Sequence, residues 1–205
     1  MPAAYIGMGA NLPSWAGAPE DTLAAAAERL GALGRVTRRS SLYSTQPVGF
    51  ADQPRFVNAV VELETELAPR ALLDGLLAIE LEFGRDRSSG IRNGPRTLDL
   101  DLLLYGEQPI SEPGMEIPHP RLAERAFVLI PLAEIAPATV DARSGHTVSQ
   151  LLHHLTGMEG RTGSRSDAAI PIHWRGWTAG VCSAGSGAAV GAGSRAGDPD
   201  ADRDG

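Results

Sequence analysis

An α+β fold built on an antiparallel sheet is predicted by three observations. Residues 97–105 alternate, with Leu98, Leu100, Leu102 and Leu104 on one side and Thr97, Asp99 and Asp101 on the other, the period of a strand with one buried face. Two segments, 20–33 and 69–83, carry apolar residues at helical spacing. Strand-like runs at 3–9, 36–43 and 56–67 complete the order β-α-β-β-α-β. That order fits a ferredoxin-like sheet with the helices packed on one face.

Residues 3–9 end at Gly9-Ala10-Asn11, a buried first strand and its turn. Glu20-Asp21 open an alanine-rich helix to Leu33, where acidic groups in the first turn complement the helix dipole, and Gly34 closes it. Val36 to Tyr43 forms the second strand. Phe56 to Leu67 forms the third, with Val57, Ala59, Val61 and Leu63 on its core face and Asn58 on the opposite one. Between them, Ser44 to Arg55 is too rich in Pro and Gly for regular structure.

Pro69 sits near the start of the second helix, whose stripe is Leu72, Leu73, Leu76, Leu77 and Ile79; Glu80 and Glu82, as charged residues, read as solvated. A Gly/Ser-rich loop, 84–93, carries Arg85, Arg87 and Arg92. Beyond the central strand, 121–136 reads as helical and 145–155 as a last short helix. From Met158 the chain holds ten glycines, five arginines and six acidic residues without periodicity. Residues 1–157 are therefore expected as the domain and 158–205 as a disordered tail.

Composition narrows the chemistry. No apolar run is long enough for a membrane span, and the N-terminus lacks the basic start of a signal peptide, so the chain is expected in the cytoplasm. The one cysteine, Cys182, permits no intrachain disulfide. A net charge of −7 disfavours nucleic acid as a partner. All 18 basic residues are arginine, which excludes a lysine-bearing P-loop, a protein-kinase site and Schiff-base chemistry. Phosphate chemistry here must run on arginine and metal.

Asp99 and Asp101 point that way. Two carboxylates about 7 Å apart on one strand face repel each other unless a cation lies against them. Mg²⁺, held by one or two carboxylates together with substrate phosphates, is such a cation. Gly94-Pro95 sets a turn that delivers Arg96 to the same face, and arginine's planar fork matches phosphate oxygens. His119, between Pro118 and Pro120, is kept out of a helix and held in one direction.

The run Gly94-Pro95-Arg96-Thr97-Leu98-Asp99-Leu100-Asp101-Leu102-Leu103-Leu104-Tyr105-Gly106 resembles the signature of the 6-hydroxymethyl-7,8-dihydropterin pyrophosphokinases of folate biosynthesis. The resemblance covers roughly 3–157 and extends to Ala4–Leu12, Thr45–Asn58, Ile117-Pro118-His119-Pro120 and Arg125-Ala126-Phe127. It implies transfer of pyrophosphate from ATP to the pterin's hydroxymethyl group with release of AMP, by a monomer that uses two Mg²⁺ ions.

By that resemblance Asp99 and Asp101 hold the metal, and Arg85, Arg92 and Arg96 are catalytic. Thr45, Val48, Phe56, Asn58, Asn93 and Phe127 receive the pterin, while Glu80, Arg87, His119 and Arg125 bind ATP. The chain departs from the family at Asn93, where many members carry a tryptophan, and at Leu77, where members often carry a polar residue. A nucleotidyl transferase, which would release pyrophosphate instead of AMP, and an RNA-binding domain of similar topology are the alternatives. The second is disfavoured by the charge and by the lack of paired sheet aromatics.

Overall fold

The computed structural model describes residues 1–49, 52–85, 94–162 and 169–182, without the side chains of 158–162. The sheet is centred on β1 (Ala3–Ala10), which runs antiparallel between β4 (Phe56–Glu64) and β5 (Asp99–Tyr105). On its other edge β4 pairs with both β2 (Arg35–Arg39) and β3 (Leu42–Thr45). The strand expected over 36–43 is therefore two strands, broken at Ser40-Ser41. Outside them lie β8 (Ile170–Ile172), paired with β3, and β9 (Gly180–Val181), paired with β2. A separate hairpin joins β6 (Ile110–Glu112) to β7 (Met115–Ile117).

Helices cover both faces of this sheet, where one face had been expected. Ala4, Ile6 and Met8 share a core with Leu23, Ala26 and Leu30 at α1 (Pro19–Arg29), and with Leu72, Leu76 and Ile79 of α2 (Pro69–Glu82). Val60, Leu103 and Leu104 share a second core with α3 (Ala126–Ile135) and α4 (Val148–Thr162). Both first-core helices begin with proline, whose missing N–H costs nothing in a first turn. After α1 a 3-10 turn spans Leu30–Ala32. Gly34 then passes so close to β4 that a Cβ there would lie 2.3 Å from the Glu64 carbonyl oxygen.

The alternation of β5 holds only in part. Leu98, Leu100 and Leu102 lie in the first core, but a register shift opposite Tyr5/Ile6 leaves Leu103 unpaired, which reverses the parity of the rest of the strand. Leu104 thereby joins Leu103 in the second core, on the face of Asp99 and Asp101, which corrects its expected side.

Three further expectations are amended. Arg125 is extended (φ −118°, ψ 103°), placed between a 3-10 turn at Leu122–Glu124 and α3, so 121–136 is not one helix. The last helix spans Val148–Thr162 rather than ending near 155. Within the expected tail, residues 170–172 and 180–181 add to the sheet and Trp177 is buried in the first core; residues 163–168 and 183–205 lie outside the described part.

Leu100 tests the face assignment. It is 3 % exposed, so Leu100→Asn should lower unfolding free energy by roughly 2–4 kcal/mol through an amide without partners. An unchanged midpoint in urea titration would place Leu100 outside the core.

Candidate active site

The carboxylate face of β5 opens into a cavity of about 270 Å³. Its floor is a furrow. On β1, Gly9 pairs with Asn58 on one side and Asp99 on the other, and Gly7 pairs with Asp101. Neither glycine raises a side chain between β4 and β5. A Cβ on Gly9 would stand 3.0 Å from Asn58 Oδ1, so a substrate reaching Asn58 and the carboxylates requires glycine there.

One wall is the end of β3 and its loop, with Thr45, Gln46 and Val48 joined by Phe56. Asn58, buried although it lies off the first-core face, donates from Nδ2 to Thr45 Oγ1 at 2.7 Å. The other wall is cationic: Arg85, Arg96, Arg121 and Arg125 line it with His119 and Glu124, and Phe127 closes the rim. Arg96 lies 5.4 Å over the Phe56 ring and Arg125 lies 5.6 Å over that of Phe127.

The carboxylates are wired unequally. Asp99 accepts from Arg96 Nη1 at 2.7 Å and from Arg85 Nη1, which also donates to the Leu98 carbonyl at 2.9 Å. Behind Arg85 stands Glu80, only 1 % exposed rather than solvated. Its Oε1 accepts the Leu100 N–H at 2.8 Å and lies 3.3 Å from Arg85 Nη1. Burial explains the arrangement, because a carboxylate out of water needs a cation and donors around it.

Asp101 has a looser partner, Arg125 Nη1 at 3.6 Å. Burial and then the neighbouring negative charge of Asp99 push its carboxyl up to about 6, against the pull of Arg125. The site is short of positive charge at that oxygen. A hard divalent cation fits this donor set: two carboxylates on one face, open to the cavity. Among the described residues there is no cluster of three or more His, Cys, Asp or Glu that could hold a metal unaided, so further oxygens would have to come from substrate phosphates and water.

His119 follows the cis Ile117-Pro118 peptide. Its N–H donates to the Leu103 carbonyl at 2.8 Å, tying it to β5, and Nδ1 accepts the Arg121 N–H at 3.2 Å. Burial and then Arg125 and Arg121 lower its pKa to about 4. At neutral pH the ring is thus uncharged with its proton on Nε2, a donor in a site of guanidinium groups.

Of the residues singled out in sequence, the cavity gathers Thr45, Val48, Phe56, Asn58, Arg85, Arg96, Asp99, Asp101, His119, Arg125 and Phe127. Glu80 is set behind the wall instead of lining it. Arg87, Arg92 and Asn93 lie outside the described residues. Sequence reasoning missed Gln46, Arg121 and Glu124, and it gave Asn11 no role. Asn11 ties three segments together, since its Oδ1 accepts the Arg96 N–H at 2.8 Å while Nδ2 donates to Gln53 and to the Pro54 carbonyl. The available signal was an asparagine at the end of a buried strand, a position that needs polar partners.

An acidic pair, a ring of arginines and an uncharged histidine facing an aromatic-rimmed, hydrogen-bonding wall are chemistry suited to phosphoryl transfer onto an organic acceptor. The 7,8-dihydro-6-hydroxymethylpterin-pyrophosphokinase (HPPK) family profile matches residues 5–137. The chain belongs to this family, whose reaction moves pyrophosphate from ATP to hydroxymethyldihydropterin in folate biosynthesis. A 2-amino-4-hydroxy-6-hydroxymethyldihydropteridine pyrophosphokinase of Pseudomonas aeruginosa is 50 % identical over 135 residues, 65 % of this chain and 80 % of that one. One of Methylorubrum extorquens is 44 % identical over 157 residues, 76 % and 94 % of the two chains. Among solved structures, a Plasmodium falciparum HPPK-DHPS superposes with a TM-score of 0.63 at 14 % identity. The match covers 81 % of this chain and 46 % of that longer protein.

The raised Asp101 carboxyl has a sign that can be tested. Its proton is held more tightly in the folded than in the unfolded chain, so folding stability falls as pH rises from about 4 to about 6. In protein free of substrate and metal, Asp101→Asn should therefore unfold at a higher temperature than the parent at pH 7.5, an advantage that shrinks toward pH 4. An advantage that instead grew on acidification would mean the carboxylate is stabilised by its surroundings.

Proposed function

We propose that this chain transfers pyrophosphate from ATP to 6-hydroxymethyl-7,8-dihydropterin in this cavity, with Mg²⁺ at Asp99 and Asp101. The observation that carries the reading is the joining, in one cavity, of the paired carboxylates and arginines with the Thr45–Asn58 wall. The pterin would lie against Phe56 and Phe127, its edge read by Asn58, Thr45 and main-chain groups near Val48. A flat heterocycle needs this combination of apolar faces and fixed rim partners. Asn93 belongs to the same proposed subsite.

The polyphosphate would meet the opposite wall. His119 Nε2–H and Arg125 hold phosphate oxygens, with Arg87 as a further ATP contact. Arg85, Arg92 and Arg96 face the charge that develops as the hydroxymethyl oxygen attacks the β-phosphorus and the bond to the AMP oxygen breaks. Glu80 is assigned an indirect part in ATP binding, holding Arg85 against Asp99. Asp99 and Asp101 would hold the metal, two ions in this reading, which would supply charge neutralisation for the phosphates. The hydroxyl proton leaves to solvent, since no strong base is needed for a largely dissociative transfer.

The path β5-β1-β4-β2 supports the ferredoxin-like reading of the sheet. Among the described residues no helix is long and apolar enough to cross a membrane, and the reading places a monomer in the cytoplasm.

Asp99→Asn and Asp101→Asn preserve side-chain size and should leave the fold intact. Each should lower AMP formation from ATP, Mg²⁺ and the pterin by roughly 100-fold or more, because metal charge supplies several kcal/mol of transition-state stabilisation. Folded variants that form AMP at the parent rate would sink the metal assignment. Release of pyrophosphate instead of AMP by the parent would favour a nucleotidyl transferase.

A further inference from the structure

The segment 169–182 lies wholly beyond the family match at 5–137 and runs antiparallel along β2 and β3. It crosses from one to the other where that strand is broken at Ser40-Ser41. Such a break leaves main-chain groups without ladder partners, and each needs another. The Ser40 N–H donates to the Val60 carbonyl at 2.9 Å, and Ser40 Oγ accepts the Val60 N–H at 2.9 Å. The Ser41 N–H donates to Glu134 of α3 at 2.9 Å. The Ser40 carbonyl is taken by the indole N–H of Trp177 at 2.7 Å, and this ring is buried in the first core. Arg39 lies 5.3 Å over the same ring.

The break sits directly before the strand that forms one wall of the cavity. β3 is four residues long, and only Tyr43, Ser44 and Thr45 pair with β4. On its other edge Leu42, Tyr43 and Ser44 pair with β8. Without 169–182, β3 would be a short edge strand with one flank open, the least stable kind of sheet element. Its last residue, Thr45, accepts from Asn58 and lines the cavity.

We propose that residues 169–182 form a strap that positions the acceptor-reading wall, with Trp177 as its positioning residue. The inference rests on the functional reading above for the identity of the acceptor, a pterin. The strap acts through β3 on Thr45 and Asn58. The nucleotide wall, with His119 and Arg125, is carried by chain that has no strap contact of this kind among the described residues. Trp177 therefore governs acceptor affinity and leaves nucleotide affinity alone.

The test uses the full chain with Trp177→Phe, which keeps a ring and removes the donor, and independently with Cys182→Pro, which removes the N–H given to the Thr37 carbonyl at 2.7 Å. Amide exchange is followed at 42–45 and, as internal control, at 4–10; calorimetry measures 6-hydroxymethylpterin and a non-hydrolysable ATP analogue with Mg²⁺ separately. For both variants exchange should quicken at 42–45 and not at 4–10. Pterin affinity, and KM for the pterin in the AMP assay, should worsen about threefold to tenfold. Nucleotide affinity and kcat should stay within about twofold of the parent. Unchanged exchange at 42–45, or equal losses of pterin and nucleotide affinity, would overturn the strap. If the parent itself bound no pterin, the functional reading would fall and the positioning role with it, while exchange at 42–45 would still show whether the segment clamps β3.

Discussion

Two carboxylates on one face of a central strand set the terms for everything around them. Asp99 and Asp101 cannot both be ionised beside each other in a half-buried cavity without matching charge, and the fold answers with guanidinium groups from three separate places. Arg85 arrives from the end of α2, Arg96 from the turn before β5, and Arg125 from the extended residue before α3. Each is fixed in turn: Arg85 by Glu80 and the Leu98 carbonyl, Arg96 by the Gly94 carbonyl and, through its backbone, by Asn11. The packing of both cores thus determines where positive charge stands before any substrate enters. The match remains incomplete at Asp101, whose nearest guanidinium nitrogen stands 3.6 Å away, an arrangement that favours a further cation there.

Much of this was legible in residue order. The 3.6 and 2 periodicities located both first-core helices and the three central strands, because each of those elements turns a regularly spaced set of apolar residues into the first core. The carboxylates, Arg96 and His119 stood out because their chemistry is costly in an ordinary surface strand or loop. The features that escaped did so for physical reasons. A bulge at Leu103 inverts parity without any mark in a run of three leucines. Glu80 stands four residues after Leu76 on the apolar stripe of α2, but its charge argued for water; the fold holds it under Arg85 with its carboxylate on the Leu100 N–H. Arg121 and Glu124 reach the cavity through a 3-10 turn, which a helical period does not describe.

The segment after 169 was the largest departure. Glycine-rich composition reads as chain unable to bury enough surface to order itself, and that argument assumes the segment must supply its own core. Here a neighbouring strand edge supplies backbone partners and the existing core admits one indole, so two short strands and Trp177 suffice. Composition measures what a segment can do alone, whereas an open edge strand changes what it needs to do.

The furrow along Gly7 and Gly9 has a consequence for how this molecule works mechanically. The cavity is an unroofed strip of one sheet face, bounded where α3 begins, and its floor is backbone held by ladders on both sides. A strand paired along both edges is the part of the cavity least able to move. Adaptation to successive ligands must therefore be borne by the rim, and the strip acts as a fixed anvil against which the rim does the fitting.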